Sequence, residues 1–450
     1  MRFYIKNYGC QMNLYDSIRM TDVLTTAGYT ESKKKDDADI LIFNTCSIRE
    51  KADEKLFSDL GRSKSLKFKA KDKGEDFVII VCGCVAQAKT TEITNRAPYV
   101  DAVIGPQEIH KIVSAIKTAL SKNDKDESIF MNTVEAKKKF ESLQSDQITK
   151  RSCSEFLTIQ EGCDNFCTYC VVPYTRGREF SRDVVDIIEE ANRLISLGVK
   201  EITLLGQNVN SYRGEGPDGK IWSISKLLYA MAEVEGLARL RYVTSNPKDI
   251  AKDIAEAHRD IRILAPFLHL PVQSGSDKIL KKMNRKYSVN EYLDRIEMLR
   301  KYRSDMAFSS DFIVGFPGET DKDFEDTLKL AEKVKYTQAY SFKYSPRNKT
   351  AAAKMDNQVP EKIKEERLKI LQNLLNDQQN KFNENTIGKT VSVLFTKNGK
   401  FKNQLVGRSE YSQAVSICDK AIHIGDIANV KITELKSHSL LGSIEKNERI

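Results

Sequence analysis

Three stretches near the start of the chain repeat one plan. FYIKNYGC, ILIFNTC and FVIIVCGC are rich in β-branched and aromatic residues and end at Cys10, Cys46 and Cys84. Each is followed by a stretch of helical character, residues 15–27 after the first. Strand–helix alternation predicts an α/β fold built on a parallel sheet with right-handed crossovers. Such sheets bind ligands beyond the carboxyl ends of their strands. Thiols at three equivalent strand ends can therefore meet, although far apart in sequence. A single Cys there reads as a core residue; three at equivalent positions favour a metal cluster. Cys82, two residues before Cys84 and on the same strand face, is either a core residue or a competing ligand.

Three further thiols lie within one short loop, EGCDNFCTYC, at Cys163, Cys167 and Cys170. A structural zinc site wants four closed ligands, usually as two pairs. A cubane iron–sulfur cluster held by three Cys leaves one iron open for a small molecule. A zinc knuckle completed by a distant residue, or simply buried thiols, are the plainer readings.

The loop opens a second alternation. Strands are expected at 155–160, 201–206, 240–245, 267–272, 308–314 and 338–344, with helical patterns between them. The helix at 183–197 has Ser181 as its cap and Gly198 as its stop. Ser288 with Glu291 makes a capping box for a helix running to about Tyr302. Six βα units predict an open, partial version of the eight-fold barrel, with its chemistry on the loops at the strands' C-terminal ends. Those loops read GQNVNSY, TSNP, LHLPVQSGS and DFIVGFPGET, rich in Gly, Gln, Asn and Ser suited to close backbone approach and hydrogen bonding. One long amphipathic helix follows at 359–383, carrying Ile363, Leu368, Leu371 and Leu374 on its apolar side. After Gly388, short strands (TVSVLFTK, QLVGRS, AVSIC, IANVKITEL) with Gly and Asn turns predict a small all-β barrel. The charged stretch 121–150 reads as a linker with a short helix around 135–143.

Composition narrows the class. Of 450 residues, 40% are hydrophobic and 30% charged, as in globular chains, and the formal net charge of +9 suits a polyanionic partner such as RNA without requiring one. Nine unevenly spaced Cys do not make a disulfide framework. The start, MRFYIKNYGC, reads as a strand rather than a targeting segment, so a reducing cytosol is expected. The longest apolar run, 77–86, is about half a bilayer span, and no membrane role is expected.

The C-x3-C-x2-C spacing, with Tyr169 before its last Cys, resembles the radical S-adenosylmethionine superfamily. YGCQMN, FNTCSIREKA and GCVAQ, then EGCDNFCTYCVVPYTRGRE, GQNVNSY, HLPVQSGS, DFIVGFPGET and YSPRNKTAA, narrow this to its methylthiotransferases over nearly the whole chain. The final barrel resembles, more loosely, the family's RNA-binding TRAM domain. The resemblance implies domains at 1–120 (N-terminal, with an auxiliary 4Fe-4S cluster on Cys10, Cys46 and Cys84), 151–384 (radical, with a 4Fe-4S cluster on Cys163, Cys167 and Cys170) and 385–450 (TRAM). It implies that Tyr169, Gln207 and Ser245 contact S-adenosylmethionine; Gln207 stands where most of the superfamily carry an acidic residue, and Asn246 where a His is expected.

The implied reaction places a methylthio group on carbon 2 of isopentenyladenosine, 3′ of the anticodon in tRNA. It uses two S-adenosylmethionine, with a flavodoxin or ferredoxin as electron donor and the enzyme acting as a monomer. Breaking an unactivated aromatic C–H bond is beyond acid–base side chains and needs such a cofactor. Arg176, Arg178 and Arg182 are read either as phosphate contacts or as solvated and helix-end charges. The nearest rivals are sister methylthiotransferases acting on threonylcarbamoyl-adenosine in tRNA or on a ribosomal-protein aspartate. YGCQMN, SIREKA and VVPYTRGRE favour the isopentenyladenosine branch. From a different class, a non-catalytic, metal-stabilised RNA-binding protein would release no 5′-deoxyadenosine.

Overall fold

The computed structural model describes residues 1–46, 50–121, 129–131, 136–143 and 151–444. Parts of the SIREKA stretch and of the 121–150 segment, and the last six residues, lie outside them. The N-terminal unit is a parallel sheet in the order Thr30–Glu31, Arg2–Asn7, Ile40–Thr45, Val78–Gly83, Ala102–Ile104, Ile129–Phe130. Both sheet faces are covered. One packs Met20, Leu24, Ile42, Ile80 and Cys82, and the other Leu41, Phe43, Leu56, Ile79 and Val81. That is why the central strands read as continuous apolar runs. The first helix is Gln11–Thr26, so it begins a turn earlier than the periodicity suggested and Cys10 takes its N-cap position.

Six strands at the expected places form the central unit, Ser154–Thr158, Glu201–Leu205, Arg239–Tyr242, Phe267–His269, Ala307–Val314 and Gln338–Lys343. They form two three-stranded parallel sheets. At the seam, residues just before Phe267 meet the third strand through an isolated bridge, Leu240 to Leu264. A single core spans both halves.

Two details of the helices differ from the sequence reading. Ser181 is not a cap: it pairs in a small ribbon with Gln160, and Asp183 precedes the helix Val184–Ser196. On the long helix Glu361–Glu384, Leu371 is buried and Leu368 and Leu374 pack against the core as expected, with Lys364, Arg367 and Leu375 also buried, whereas Ile363 is exposed. Arg367 is held inward by a 2.8 Å ion pair with buried Glu319.

The C-terminal barrel is closed, in the order Thr390–Asn398, Gln404–Ser409, Ala414–Cys418, Ser439–Ile444, Ile427–Lys436. Its fifth strand, Ser439–Ile444, escaped the sequence reading. The barrel is docked, not tethered. Arg239 reaches the carbonyls of Arg408 (3.1 Å) and Ser392 (2.9 Å), and Arg241 those of Ser409 (2.7 Å) and Glu410 (2.9 Å). Glu201 binds both arginines, at 3.3 and 2.9 Å.

The stretch read as a linker also contributes structure. Ile129–Phe130 is the sheet's edge strand, and Ala136–Ser142 is a helix carrying the wholly buried Lys139.

Candidate active site

Gly162 and Gly83 explain how the two thiol loops leave their strands. A Cβ at Gly162 (φ +82°) would lie 1.9 Å from the Arg178 carbonyl, and one at Gly83 (φ +92°) would lie 2.4 Å from the Thr45 carbonyl. Only glycine fits either turn.

The loop from 163 to 170 is pinned on several sides. The Asn284 amide donates to the carbonyls of Asn165 and Phe166 at 3.1 and 3.0 Å, and Thr168 Oγ1 donates to the Lys282 carbonyl at 2.9 Å. At its base, Gln207 Oε1 accepts the Gly162 N–H at 2.5 Å. Cys163, Cys167 and Cys170 are half-buried. Burial, then the charge at Cys167, pushes the Cys170 thiol up to about 12, and burial raises Cys163. The Arg285 guanidinium stands 3.9 Å from Cys167 Sγ. A metal bound here would have to displace thiol protons.

The strand ends bring Cys10, Cys46 and Cys84 together. Cys46 hydrogen-bonds Cys10 and, against the cost of burial and with help from Arg176, lowers the Cys10 thiol to about 6. Cys84 is raised by burial, opposed by the charge of Arg176. Two buried amides fix this corner. Asn13 Nδ2 donates to Asn44 Oδ1 (3.0 Å) and to the Thr45 carbonyl (2.8 Å), and Cys10 Sγ lies 3.2 Å from Asn13 Oδ1. Both amides sit inside the YGCQMN and FNTC stretches, but only the fold shows that they meet. Cys82 is elsewhere: fully buried on one sheet face, with Met20 Sδ 3.9 Å from its sulfur. Gly83 turns the chain before Cys84, so the two thiols do not share a face.

A buried cluster of four charges ties the segment after Cys10 to the segment before Cys163. Lys139 Nζ is 2.8 Å from both Asp16 and Glu161. Arg176 is 2.8 Å from Asp16 and 2.5 Å from Glu161. Lys139 and Glu161 are 0% exposed and Arg176 3%. Arg176 is thus neither a phosphate contact nor a solvated charge. Arg182 is likewise buried, bonded to Glu190 at 2.7 Å; only Arg178 is exposed. Desolvation excludes a bare charge at such depth, so the two arginines are found paired.

The rim of the central unit carries unpaired polar atoms. Ser245 Oγ, both amide atoms of Asn210 and the Tyr344 hydroxyl are buried without a hydrogen-bond partner in the protein, each just past the end of a strand. Native interiors rarely leave such groups unsatisfied, and a polar ligand answers them. Tyr169 stacks edge-on against Phe316 (6.4 Å), which meets Tyr344 (5.3 Å), forming an aromatic wall beside the thiol loop. Gln207 spends its carbonyl oxygen on Gly162, so it positions the loop. Asn246 caps the turn Pro247–Asp249 by accepting from the Lys248 N–H at 3.2 Å.

Strand register places His269, Asp311, Tyr340 and Phe342 on one face. His269 Nε2 is 3.5 Å from Asp311, and Tyr340 and Phe342 are each 50% exposed. The sequence reading quoted the segments around His269 and Asp311 without singling out these side chains.

Among the described residues no three His, Cys, Asp or Glu close on a single metal ion. Three thiolates and no fourth ligand suit instead a cluster in which each takes a different iron. No described helix is long and apolar enough to cross a membrane.

Three family profiles match in succession: the uncharacterized protein family UPF0004 at residues 2–105, the radical SAM superfamily at 157–331 and the TRAM domain at 384–444. The fold and the thiol loop therefore define a radical SAM enzyme, which uses S-adenosylmethionine and a 4Fe-4S cluster. The chain is 51% identical over 446 residues to the tRNA-2-methylthio-N(6)-dimethylallyladenosine synthase of Agrobacterium fabrum, covering 98% of this chain and 97% of that one. It belongs to that family of synthases. Among solved structures it is similar to the radical S-adenosylmethionine methyltransferase TsrM of Kitasatospora setae (TM-score 0.57, 12% identity, 78% of this chain and 77% of that one). It is also similar to the cobalamin-dependent radical enzyme OxsB (TM-score 0.53, 11% identity, 84% and 56%). At these identities the likeness concerns the fold.

Proposed function

We propose that this enzyme places a methylthio group on carbon 2 of the isopentenylated (dimethylallyl) adenosine 3′ of the anticodon in tRNA. The observation that carries the reading is that the segments bearing two thiol triads are joined by one buried charge cluster, in which Asp16, six residues after Cys10, and Glu161, two before Cys163, share Lys139 and Arg176. Such a reaction needs a C–H bond broken at one site and sulfur delivered from another.

Cys163, Cys167 and Cys170 hold the cluster whose open iron takes S-adenosylmethionine, and Cys10, Cys46 and Cys84 hold a second 4Fe-4S cluster. When bound, the first supplies hydrogen-atom abstraction and the second the sulfur. The chain's own contribution is placement. The orphaned hydroxyl of Ser245 and amide of Asn210 meet polar groups of the cofactor, and Tyr169 with Phe316 flanks its adenine. Tyr340 and Phe342 offer stacking faces to a base splayed from the loop. The division used is 1–120 for the second cluster, 121–150 connecting, 151–384 for the radical site and 385–450 for RNA. A flavodoxin- or ferredoxin-type donor supplies the electron, a monomer suffices, and a reducing cytosol suits both clusters.

The test is anaerobic reconstitution with iron and sulfide. Isopentenylated tRNA, S-adenosylmethionine and a reductant are added, and the tRNA nucleosides are analysed by mass spectrometry. The methylthio nucleoside and 5′-deoxyadenosine are expected together. Release of 5′-deoxyadenosine with modification only of threonylcarbamoyl-adenosine would overturn the substrate, and no release at all would overturn the chemistry.

A further inference from the structure

The two halves of the central unit differ in what covers their inner faces. On the sheet of Ser154–Thr158, Glu201–Leu205 and Arg239–Tyr242, register and alternation put Glu201, Arg239 and Arg241 on the same face as Phe156 and Leu205. Arg239 and Arg241, held by Glu201, grip the C-terminal barrel. Phe156 and Leu205 pack with Met12, Tyr15 and Phe140. That face is therefore filled from both sides. On the other sheet the register pairs His269 with Ser309, Asp311 with Tyr340 and Ile313 with Phe342. This face stays open, since both aromatic rings are half exposed. Toward the thiol loop, Ile313 joins the packing of Phe316 and Tyr169.

The polar groups on the open face have capacity to spare. His269 Nδ1 is 2.7 Å from Ser309 Oγ, and Nε2 faces the Asp311 carboxylate at 3.5 Å, longer than a hydrogen bond. A lone pair on Nε2 would point at that negative charge. The proton therefore belongs on Nε2, and Ser309 donates to Nδ1. Among the described residues no hydrogen bond reaches the carboxylate or Nε2. Across from Asp311, the Tyr340 hydroxyl is fixed by Gln338 Nε2 at 2.7 Å. An acceptor, a donor and a stacking ring thus lie side by side.

We propose that Asp311 and His269 read the N6/N7 edge of the target adenine, on the reading above that isopentenyladenosine in tRNA is the substrate. Asp311 accepts the one N6–H that isopentenylation leaves, His269 Nε2–H donates to N7, and Tyr340 stacks on the ring. Adenine presents N6–H and N7 as a donor beside an acceptor, the complement of this pair. Guanine presents O6 there, an acceptor turned against a carboxylate. The N6/N7 edge also lies across the ring from carbon 2. Asp311 precedes Ile313 by two residues, about 6–7 Å farther from the thiol loop along the strand. A base held there by its far edge turns carbon 2 toward that loop.

The experiment uses the full chain, reconstituted with iron and sulfide, on three anticodon stem–loop RNAs. One carries isopentenyladenosine, one its N6-methyl derivative, which has no N6–H, and one its 7-deaza derivative, which has no N7 acceptor. The kcat and KM for RNA and the KM for S-adenosylmethionine are measured. The parent should lose about tenfold in kcat/KM on the N6-methyl RNA and about fivefold on the 7-deaza RNA, as hydrogen bonds to a charged and a neutral group imply. Asp311→Ala should lose about tenfold on the isopentenyladenosine RNA and no longer distinguish the N6-methyl RNA, yet still discriminate against the 7-deaza RNA. His269→Ala should do the reverse. Asp311→Asn keeps the side chain's size and one acceptor, so it should fall between parent and Asp311→Ala even where the alanine variant is less stable. Such a crossed pattern isolates each contact; a pair that only shapes the barrel would lower all three RNAs alike. An equal loss on all three overturns the proposal, as do penalties that persist unchanged in both alanine variants. A rise confined to the KM for S-adenosylmethionine overturns it too, by placing the pair at the cofactor. A parent that leaves the isopentenyladenosine RNA unmodified fails differently: it removes the substrate reading itself.

Discussion

The two thiol triads solve one problem by different means. Cys163, Cys167 and Cys170 come from one short loop, half-buried, whose shape is imposed by Gly162 and by Asn284 and Thr168 fastening it to the turn at 282–284. Cys10, Cys46 and Cys84 come from three strand ends, so the sheet itself sets their spacing. In the loop, burial raises the Cys163 and Cys170 thiols; at the strand-end corner burial likewise raises Cys84, but the hydrogen bond from Cys46 lowers Cys10 to about 6. A local loop can leave a cluster edge open to a small molecule. A site assembled by topology, closed by buried amides and a cation from another domain, is suited to a group that is held and protected.

The sharpest way to break this comparison is to remove one triad at a time. Cys163→Ala should abolish 5′-deoxyadenosine formation entirely while the N-terminal iron remains. Cys84→Ala should abolish methylthiolation while cleavage of S-adenosylmethionine continues. Loss of both activities in both variants would mean the sites are not separable.

Lys139 tests whether the triads are joined. Lys139→Met leaves two buried carboxylates sharing one cation, and breaking such a buried pair costs about 3–5 kcal/mol. Chemical denaturation should show that loss; a change under 1 kcal/mol, on the scale of a surface pair, would mean that the cluster of charges does not hold the domains.

The hairpin tip of the C-terminal barrel should affect RNA and neither triad. Phe401 is 67% exposed between exposed Lys400 and Lys402. Phe401→Ala should weaken tRNA binding by about 1–3 kcal/mol, the worth of one stacked base. Each Lys→Ala should reduce the salt slope by about 1. Filter binding across salt concentrations reads both, and unchanged affinity in all three would move the RNA contact elsewhere. Deleting 385–450 is a poorer test, since it would strip Arg239 and Arg241 of their carbonyl partners.

The smallest effect is expected inside the strand-end region. Cys82→Ala should cost only about 1 kcal/mol of packing and keep all iron. Iron loss there with retention in Cys84→Ala would reverse the ligand assignment.

Much of this was legible in the sequence because it is periodic or local. The three repeated strand ends, the six barrel strands and the C-x3-C-x2-C loop are all of that kind. The charge cluster was not, because Asp16, Lys139, Glu161 and Arg176 are far apart along the chain and each looks like a surface residue. Lys139 lay in a stretch so polar that it read as a linker, and Arg176 among arginines that resembled a phosphate-binding run. Burial of a charge is decided by its partner, and partners at long range leave no periodicity. Ser439–Ile444 was missed for a related reason: SLLGSI carries a Gly, and it is recruited by pairing with Ala414–Cys418 and Ile427–Lys436.

The manner in which Arg239 and Arg241 grip the C-terminal barrel has a consequence for how such an enzyme changes over generations. Four of their contacts, to residues 392, 408, 409 and 410, are to main-chain oxygens. A carbonyl is the same whatever side chain it carries. Apart from Ser392 and Ser412, whose hydroxyls the arginines also hold, the barrel's outer residues are thus free to drift toward a different set of RNAs while its seat on the catalytic unit stays fixed. Substrate choice can be rewritten on one side of this joint without disturbing the distance to the chemistry on the other.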